Sequence, residues 1–300
     1  MARFIGVGEE SAYGVSATPT RYIDILREKL VFDRGITPVE TVYGRAIQKY
    51  VEGKASVTGS IDFVVEPENC GEFFKWALGS VETSGEGPYT HTFKPSDTIK
   101  SFTLIVVSEG IQRRIVGCLV NRLEIESALD VVTGSLEILA SKEEKDLGSY
   151  TPTISTLTPF VFKDGTLTLA GEDKSGCLKA FRLRINNNIP TDDLYGFGSK
   201  YPQRILVRGR TVECELELVF EDTSEYDRFL AGEEFSLNLK FAYGDYEFEV
   251  NLPRIVYTSD VAPHLDKREP LRVTAPLQAF YEPSTGYEVA LKLKNQVSSY

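Results

Sequence analysis

The chain has 300 residues, of which 42% are hydrophobic, and it carries a formal net charge of −11 at pH 7. With 15 Tyr and 17 Phe it is too apolar for a disordered protein, and its strand-length apolar runs are too short for membrane-spanning helices. The acidic balance argues against a protein that binds nucleic acid by neutralising phosphates. A single Met beside 26% charged residues is typical of a thermostable protein.

The first ten residues lack the apolar stretch of a secretion signal, so we expect synthesis and folding in the cytoplasm.

The first half is dominated by strand patterns. Residues rich in β-branched and aromatic types, largely alternating with polar ones, predict strands. These strands cover 22–30, 57–65, 102–107, 111–126 and 131–140. In residues 70–78 the apolar spacing changes to three and four, which predicts a helix, and a loop is expected at 81–94.

The second half repeats these strand and helix patterns after a linker. Residues 148–159 are rich in Ser, Thr and Pro, which predicts a linker between a first domain, 1–147, and a second domain, 160–300. Residues 160–169 contain Asp164-Gly165 and predict a hairpin with its turn at that step. A helix is predicted from Ser224 to Leu230. Further strands are predicted at 178–185, 206–220, 235–241, 246–257 and 271–281.

The two halves have the same order of elements. Gly53 opens an alternating strand that leads into the first helix, and Gly209 opens an alternating strand that leads into the second. The fold class predicted from this repetition is mainly β, with two tandem antiparallel sandwich or barrel domains that each carry one short helix and their own core.

Two long segments, 35–50 and 186–203, interrupt the strands at corresponding places. Each is too long for a hairpin turn, and each contains a Tyr-Gly step, Tyr43-Gly44 and Tyr195-Gly196. Loops of this length in compact domains are usually functional or mobile. We therefore interpret both as polar functional loops.

The sequence gives little support to catalysis or metal binding. The four cysteines have no Cys-x-x-Cys spacing, and His91 and His264 are far apart, so a zinc site is not expected. Paired carboxylates such as Glu213 and Glu215 could serve a glycosidase, but alternating glutamates on a strand normally form a solvated face. We predict no catalytic, cofactor or metal residues. The stronger alternative is a β-sandwich binding module, such as a capsid decoration protein, an adhesin or a carbohydrate-binding protein.

The N-terminal sequence resembles a known family. Residues 8–14 read GEESAYG and residues 17–22 read ATPTRY. This opening, followed by a long loop with Gly44-Arg45, a strand near Gly53, a helix and three strands, resembles major tail tube proteins of long-tailed bacterial and archaeal viruses. The resemblance extends over the whole chain, with one tube domain in each half.

The resemblance implies a structural virion protein located in the tail. Tube proteins with one domain form six-membered rings, so two domains per chain imply a ring of three chains that stacks into a tube. Genomic DNA would pass through without specific binding during ejection. The implied partners are further copies of the chain and the tail-tip, tape-measure and tail-terminator proteins, with no membrane.

Within such a tube, two sets of residues are candidates for function. The polar face of the strands after Gly53 and Gly209 carries four carboxylates and no base, and we expect it to line the lumen. Its members are Thr58, Ser60, Asp62, Glu213, Glu215 and Glu217. The long segments are expected to contact the adjacent ring, through Tyr43, Gly44, Arg45, Asp192, Asp193, Tyr195 and Gly196.

Overall fold

The computed structural model describes residues 3–262 and 271–300, so His264 lies outside the described part of the chain. The first half contains β1 (Phe4–Glu9), β2 (Arg21–Ile23), β3 (Arg27–Asp33), β4 (Ile36–Val39), β5 (Lys49–Glu52), β6 (Ser56–Val64), α1 (Gly71–Leu78), β7 (Gly79–Ser84), β8 (Tyr89–Pro95), β9 (Phe102–Ser108), β10 (Ile111–Ala128), β11 (Thr133–Ala140) and β12 (Lys142–Lys145). No helix in these ranges is long and apolar enough to cross a membrane.

The second half is built from the same kinds of element. It contains β13 (Gly165–Leu169), β14 (Glu172–Asp173), β15 (Leu178–Asn186), β16 (Thr211–Val219), α2 (Ser224–Ala231), β17 (Phe235–Tyr243), β18 (Tyr246–Tyr257), β19 (Arg272–Ala279) and β20 (Ala290–Asn295). Short 3₁₀ turns lie at Phe162–Asp164 and Thr191–Leu194. The mainly β, antiparallel class predicted from the sequence is confirmed.

One antiparallel sheet runs through both halves in the order β3-β6-β11-β10-β15-β16-β19. The connection between the halves is the pairing of residues 122–128 of β10 with residues 180–186 of β15. The order β3-β6-β11-β10 is followed by β15-β16-β19-β18, because β18 pairs with β19 through residues 255–257. Two similar four-strand groups are therefore joined edge to edge within one chain.

Most buried residues of the two halves form one continuous hydrophobic core, and a smaller separate cluster contains Ile99, Leu119, Leu139, Ile189 and Leu194. The two separate cores expected from the sequence are not observed, because the sheet crosses from one half to the other. In α1, which ends at left-handed Gly79, Trp76 is buried and stacks on Phe102 with ring centroids 4.0 Å apart. In β16, Val212, Cys214, Leu216 and Leu218 are buried and alternate with the glutamates, which gives the strand its period of two.

The predicted linker, residues 148–159, contains no helix or strand. It leads directly into the core, because the next residue, Phe160, is fully buried. The Phe160 N–H donates to the Val65 carbonyl at 3.0 Å, and the Phe160 carbonyl accepts from the Val132 N–H at 2.9 Å. These bonds attach the start of the second half to the first.

Three local predictions are wrong. Residues 81–94 are not a loop, because β7 and β8 form a hairpin there, and β8 continues the sheet by pairing with β20. Asp164-Gly165 is not a hairpin turn; β13 begins at Gly165 and turns at Ala170-Gly171 into β14. Residues 22–30 are divided between β2 and β3. β8, β13 and β3 also pair with β20, β17 and β6, which are distant in sequence, and local patterns do not specify such partners.

The N-terminal motif is organised around a buried carboxylate, that of Glu10. Its Oε1 accepts hydrogen bonds from the Thr103 hydroxyl and the Gly117 N–H, each at 2.8 Å. Its Oε2 accepts from the Ser101 hydroxyl at 2.7 Å and from the Gly14 N–H at 2.9 Å. Glu10 thus joins the end of β1 to β9 and to β10.

Candidate assembly surfaces

The six polar strand residues selected from the sequence lie on one face of the continuous sheet. Ser60 of β6 is opposite Glu137 of β11, and Glu213 of β16 is opposite Arg184 of β15. The other four alternate with buried residues on the same two strands, which places them on this face too. We call this surface the polar sheet face. Three open grooves of about 640, 330 and 370 Å³ lie along it, so it is concave.

The polar sheet face is mixed in charge rather than purely acidic. The neighbouring strands β3, β10, β15 and β19 contribute bases that the two selected strands lack, and this register was not visible in the sequence. Its acidic members are Asp33, Asp62, Glu124, Glu126, Glu137, Glu213, Glu215 and Glu217, and its basic members are Arg27, Lys29, Arg122, Arg182, Arg184 and Arg272. The face therefore carries a nearly balanced charge.

All five arginines on this face are already paired. The shortest nitrogen–oxygen distances are 2.6 Å for Arg27–Asp62, 2.7 Å for Arg122–Glu137, 2.8 Å for Arg182–Glu126, 2.9 Å for Arg184–Glu124 and 2.7 Å for Arg272–Glu217. The hydrogen bond from Arg182 to Glu126 raises the pKa of that arginine, with smaller contributions from Glu124 and Glu215. Within the described residues, Glu213 and Glu215 have no salt-bridge partner, so the unpaired charge that remains on β16 is negative.

Segment 35–50 is an exposed hairpin rather than a polar loop. Among the described residues β4 pairs only with β5, in a two-stranded sheet separate from the main one. Tyr43, Gly44 and Arg45 lie at its tip, where Gly44 has a φ of 82°. We call residues 36–52 the arm. Its exposed large apolar side chains are Ile36, Val42, Tyr43, Ile47, Tyr50 and Val51.

An exposed apolar hairpin of this size indicates a binding surface. Val42 is fully exposed and Tyr43 is 77% exposed, although both would ordinarily be buried. The expectation of a polar segment was wrong because the apolar residues are spread among Gly, Arg and Gln. The role in contacts between rings stays a prediction.

Segment 186–203 packs against the base of the arm. Lys200 Nζ lies 2.8 Å from Glu52 Oε2, and Lys54 Nζ lies 3.1 Å from Asp192 Oδ1. The Tyr195 hydroxyl donates to the Ala55 carbonyl at 3.2 Å. This segment therefore supports the arm.

The remaining candidates in this segment are held in place locally. Asp193 pairs with Arg208 at 3.1 Å. Gly196 lies against Gln203, whose Oε1 would be 2.3 Å from a Cβ at this position. Phe197, which the sequence analysis did not select, is fully exposed beside them. Their contact with an adjacent ring stays a prediction.

The groups best suited to chemistry are buried in structural roles. All four cysteines are buried and unbonded. Burial raises the pKa of Cys177 to about 11 and that of Cys214 to about 12, so both thiols stay protonated near neutral pH. Burial lowers the pKa of His91, whose Nε2 lies 2.8 Å from the Val297 carbonyl oxygen. In residues 3–262 and 271–300, no group of three or more His, Cys, Asp or Glu is arranged to hold a metal ion.

A comparison with protein families identifies the family of the chain. The family model described as phage tail tube protein matches residues 2–279, which is nearly the whole chain. The chain belongs to the phage tail tube protein family. No curated protein reaches a significant sequence match to it. The tail tube protein described here is therefore a structural component of the virion tail, and its family is generally non-enzymatic.

Proposed function

We propose that three copies of this tail tube protein form a closed ring of six similar sheet units. The pairing of β10 with β15 carries the proposal, because it joins two four-strand groups edge to edge inside one chain. Repeating that junction between chains would close the sheet and remove its exposed edges, which otherwise promote aggregation. Each half of the chain would then act as one tube domain, with 148–159 as the connection.

The concave polar sheet face would line the lumen through which the DNA of a long-tailed virus passes. All five of its arginines are bound to carboxylates, so they are not free to hold phosphates, and unpaired Glu213 and Glu215 repel them. Weak attraction favours passage, since each neutralised phosphate adds to the affinity by counterion release. The arm would contact the next ring, and the tube would end at tail-tip and terminator proteins and enclose the tape-measure protein.

The first test is the number of chains in a ring. We expect purified protein at high concentration to form stacked rings in electron micrographs, and native mass spectrometry to give three times the chain mass of 33.5 kDa. Six chains in a closed ring would show that the two halves are not equivalent units. A protein that stays monomeric at every concentration and binds a glycan or capsid instead would favour the β-sandwich binding module.

The second test shortens the arm. Replacing residues 40–48 with Asn-Gly keeps β4 and β5 paired through a two-residue turn but removes the tip. The loss of about 1–2 kcal/mol of apolar contact per subunit should raise the protein concentration needed for tubes about tenfold. The measurement is the amount of protein sedimenting as tubes.

A second variant controls for length. This variant replaces Val42, Tyr43 and Ile47 together with Ser, which keeps the length of the arm but removes the apolar side chains of its tip. We expect both variants to unfold like the native chain in urea, because the tip packs against no core residue. If both formed tubes at the native concentration, the arm would have no part in stacking.

A further inference from the structure

The continuous sheet ends in two edges that could still accept a strand. At one end, β3 pairs with β6 and, among the described residues, with no other strand. At the other end, Thr258 continues from β18 beside β19, since its N–H donates to the Pro276 carbonyl at 2.9 Å. The chain then bends at Ser259, and the Ala262 N–H donates to Asp260 Oδ1 at 2.9 Å, so residues 259–262 would have to straighten to extend the strand. No backbone hydrogen bond joins residues 258–262 to a further strand within the described part of the chain.

The junction inside the chain shows how such edges fit together. β3 pairs with β6 beginning at Asp33 and Ser56, as β15 pairs with β16 beginning at Asn186 and Thr211. By these strand ends, residues 27–33 correspond to 180–186. At the opposite edge, β19 corresponds to β11, since both strands are eight residues long. Residues 258–262, which follow β18, then correspond to the part of β10 that pairs with β15. Continuing the register from Thr258 places Asp260 in the position of Glu124.

The charges on the two edges are complementary in this register. Inside the chain, Glu124 binds Arg184 at 2.9 Å and Arg182 at 3.3 Å. The corresponding residues of β3 are Val31 and Lys29, so Lys29 would lie beside Asp260 of a neighbouring chain. Within residues 3–262 and 271–300, neither Lys29 nor Asp260 is in salt-bridge distance of an opposite charge.

In the free subunit the edge of β3 is covered by two side chains of the same chain, Glu28 of β3 and Arg113 of β10. The Leu30 N–H donates to Glu28 Oε1 at 2.6 Å, and the Leu30 carbonyl accepts from Arg113 Nη1 at 3.2 Å. Glu28 and Arg113 also pair at 2.7 Å. Both backbone groups of Leu30 therefore point away from β6. We call this arrangement the edge clasp; it satisfies the groups that a further strand would use, which is one way to protect an open edge.

We propose that β3 of one chain pairs antiparallel with residues 258–262 of the next chain, and that this pairing replaces the edge clasp. Asp260 lies opposite Val31 and beside Lys29, and the backbone of Leu30 pairs with that of Val261. The backbone groups needed for this pairing face outward on both edges. The Thr258 N–H bonds inward to Pro276, so in an extended strand the N–H and C=O groups of Ser259 and Val261 would face outward, as those of Leu30 do. This inference rests on the proposed ring.

Disulfide trapping tests the pairing. In the proposed register Val31 and Asp260 form a non-hydrogen-bonded pair, whose Cα atoms are about 4.5 Å apart and within the range of a disulfide. Val31→Cys with Asp260→Cys should give covalent trimers when assembled tubes are oxidised. The matched control is Ile111→Cys with Asp260→Cys, which combines Asp260 with an exposed residue at the turn between β9 and β10 and should stay monomeric.

A charge exchange tests the same contact without a cysteine. Lys29→Glu should raise the concentration needed for assembly about fivefold, since it replaces an ion pair with two like charges. Adding Asp260→Lys should restore it. Glu28→Ala, which opens the edge clasp, should lower that concentration, and a higher one would overturn the clasp's role.

The outcomes separate the two proposals. Native tubes without trapped trimers and without rescue by Asp260→Lys would overturn this pairing and leave the tube intact. A native chain that never assembles would instead contradict the proposed function.

Discussion

Replacing Glu10 with Ala should lower the free energy of unfolding by about 3–5 kcal/mol, because four donors lose their acceptor. Two of them are the backbone N–H groups of Gly14 and Gly117, which have no freedom to turn toward another partner. Ser101 and Thr103, the other two, are buried, so water does not replace the carboxylate without opening the structure. Urea unfolding followed by fluorescence of the single Trp measures the loss.

Two further variants make the Glu10 result specific. Glu10→Gln keeps the shape but turns an amide NH₂ toward two donors, so we expect it to be nearly as destabilising as Ala. Ser11→Ala, at the exposed neighbouring position, should change the stability by less than about 0.5 kcal/mol. If Glu10→Ala matched Ser11→Ala, the bonds to Glu10 would contribute nothing to the fold.

Replacing Glu213, Glu215 and Glu217 together with Lys should slow DNA ejection at least about tenfold at low salt, with tubes still forming. The substitution changes the polar sheet face from eight acids and six bases to five acids and nine bases. It also releases Arg272 from Glu217 and places positive charge beside Arg182 and Arg184. The added bases would hold phosphates, and the effect should weaken as salt rises because the charges are screened beyond about 8 Å.

The control for this variant has the same change in net charge at another place. Glu86, Glu172 and Glu233 are exposed and lie outside the polar sheet face, so their replacement with Lys should leave ejection unchanged. Ejection is measured as DNA release from virions assembled with each variant. Normal release by the first variant, or a tube structure with its three residues on the outside, would contradict the assignment to the lumen.

Local sequence patterns predicted the strands whose side chains alternate most clearly. β18 was predicted with its observed limits, Tyr246–Tyr257, and β6 and β16 with the correct buried faces, because a period of two is visible without knowing the partner strand. The hairpin of β7 and β8 was missed, since Gly79–Ser84 has little apolar content and pairs through its backbone. The segment of the arm was singled out in the sequence, but its exposed apolar character was not predicted, and its functional role stays a prediction.

The sequence alone determined the mainly β class and the polar faces of two strands, whereas the division into two similar domains connected at 148–159 stays a prediction. Only the tertiary structure decided that β10 pairs with β15, that one core serves both halves, that arginines accompany the glutamates, and that Glu10 binds four donors. The physical reason is that alternation is a local property of one strand. Register and burial depend on partners such as Arg182 and Glu126, which are far apart in the sequence and meet only when the sheet is complete.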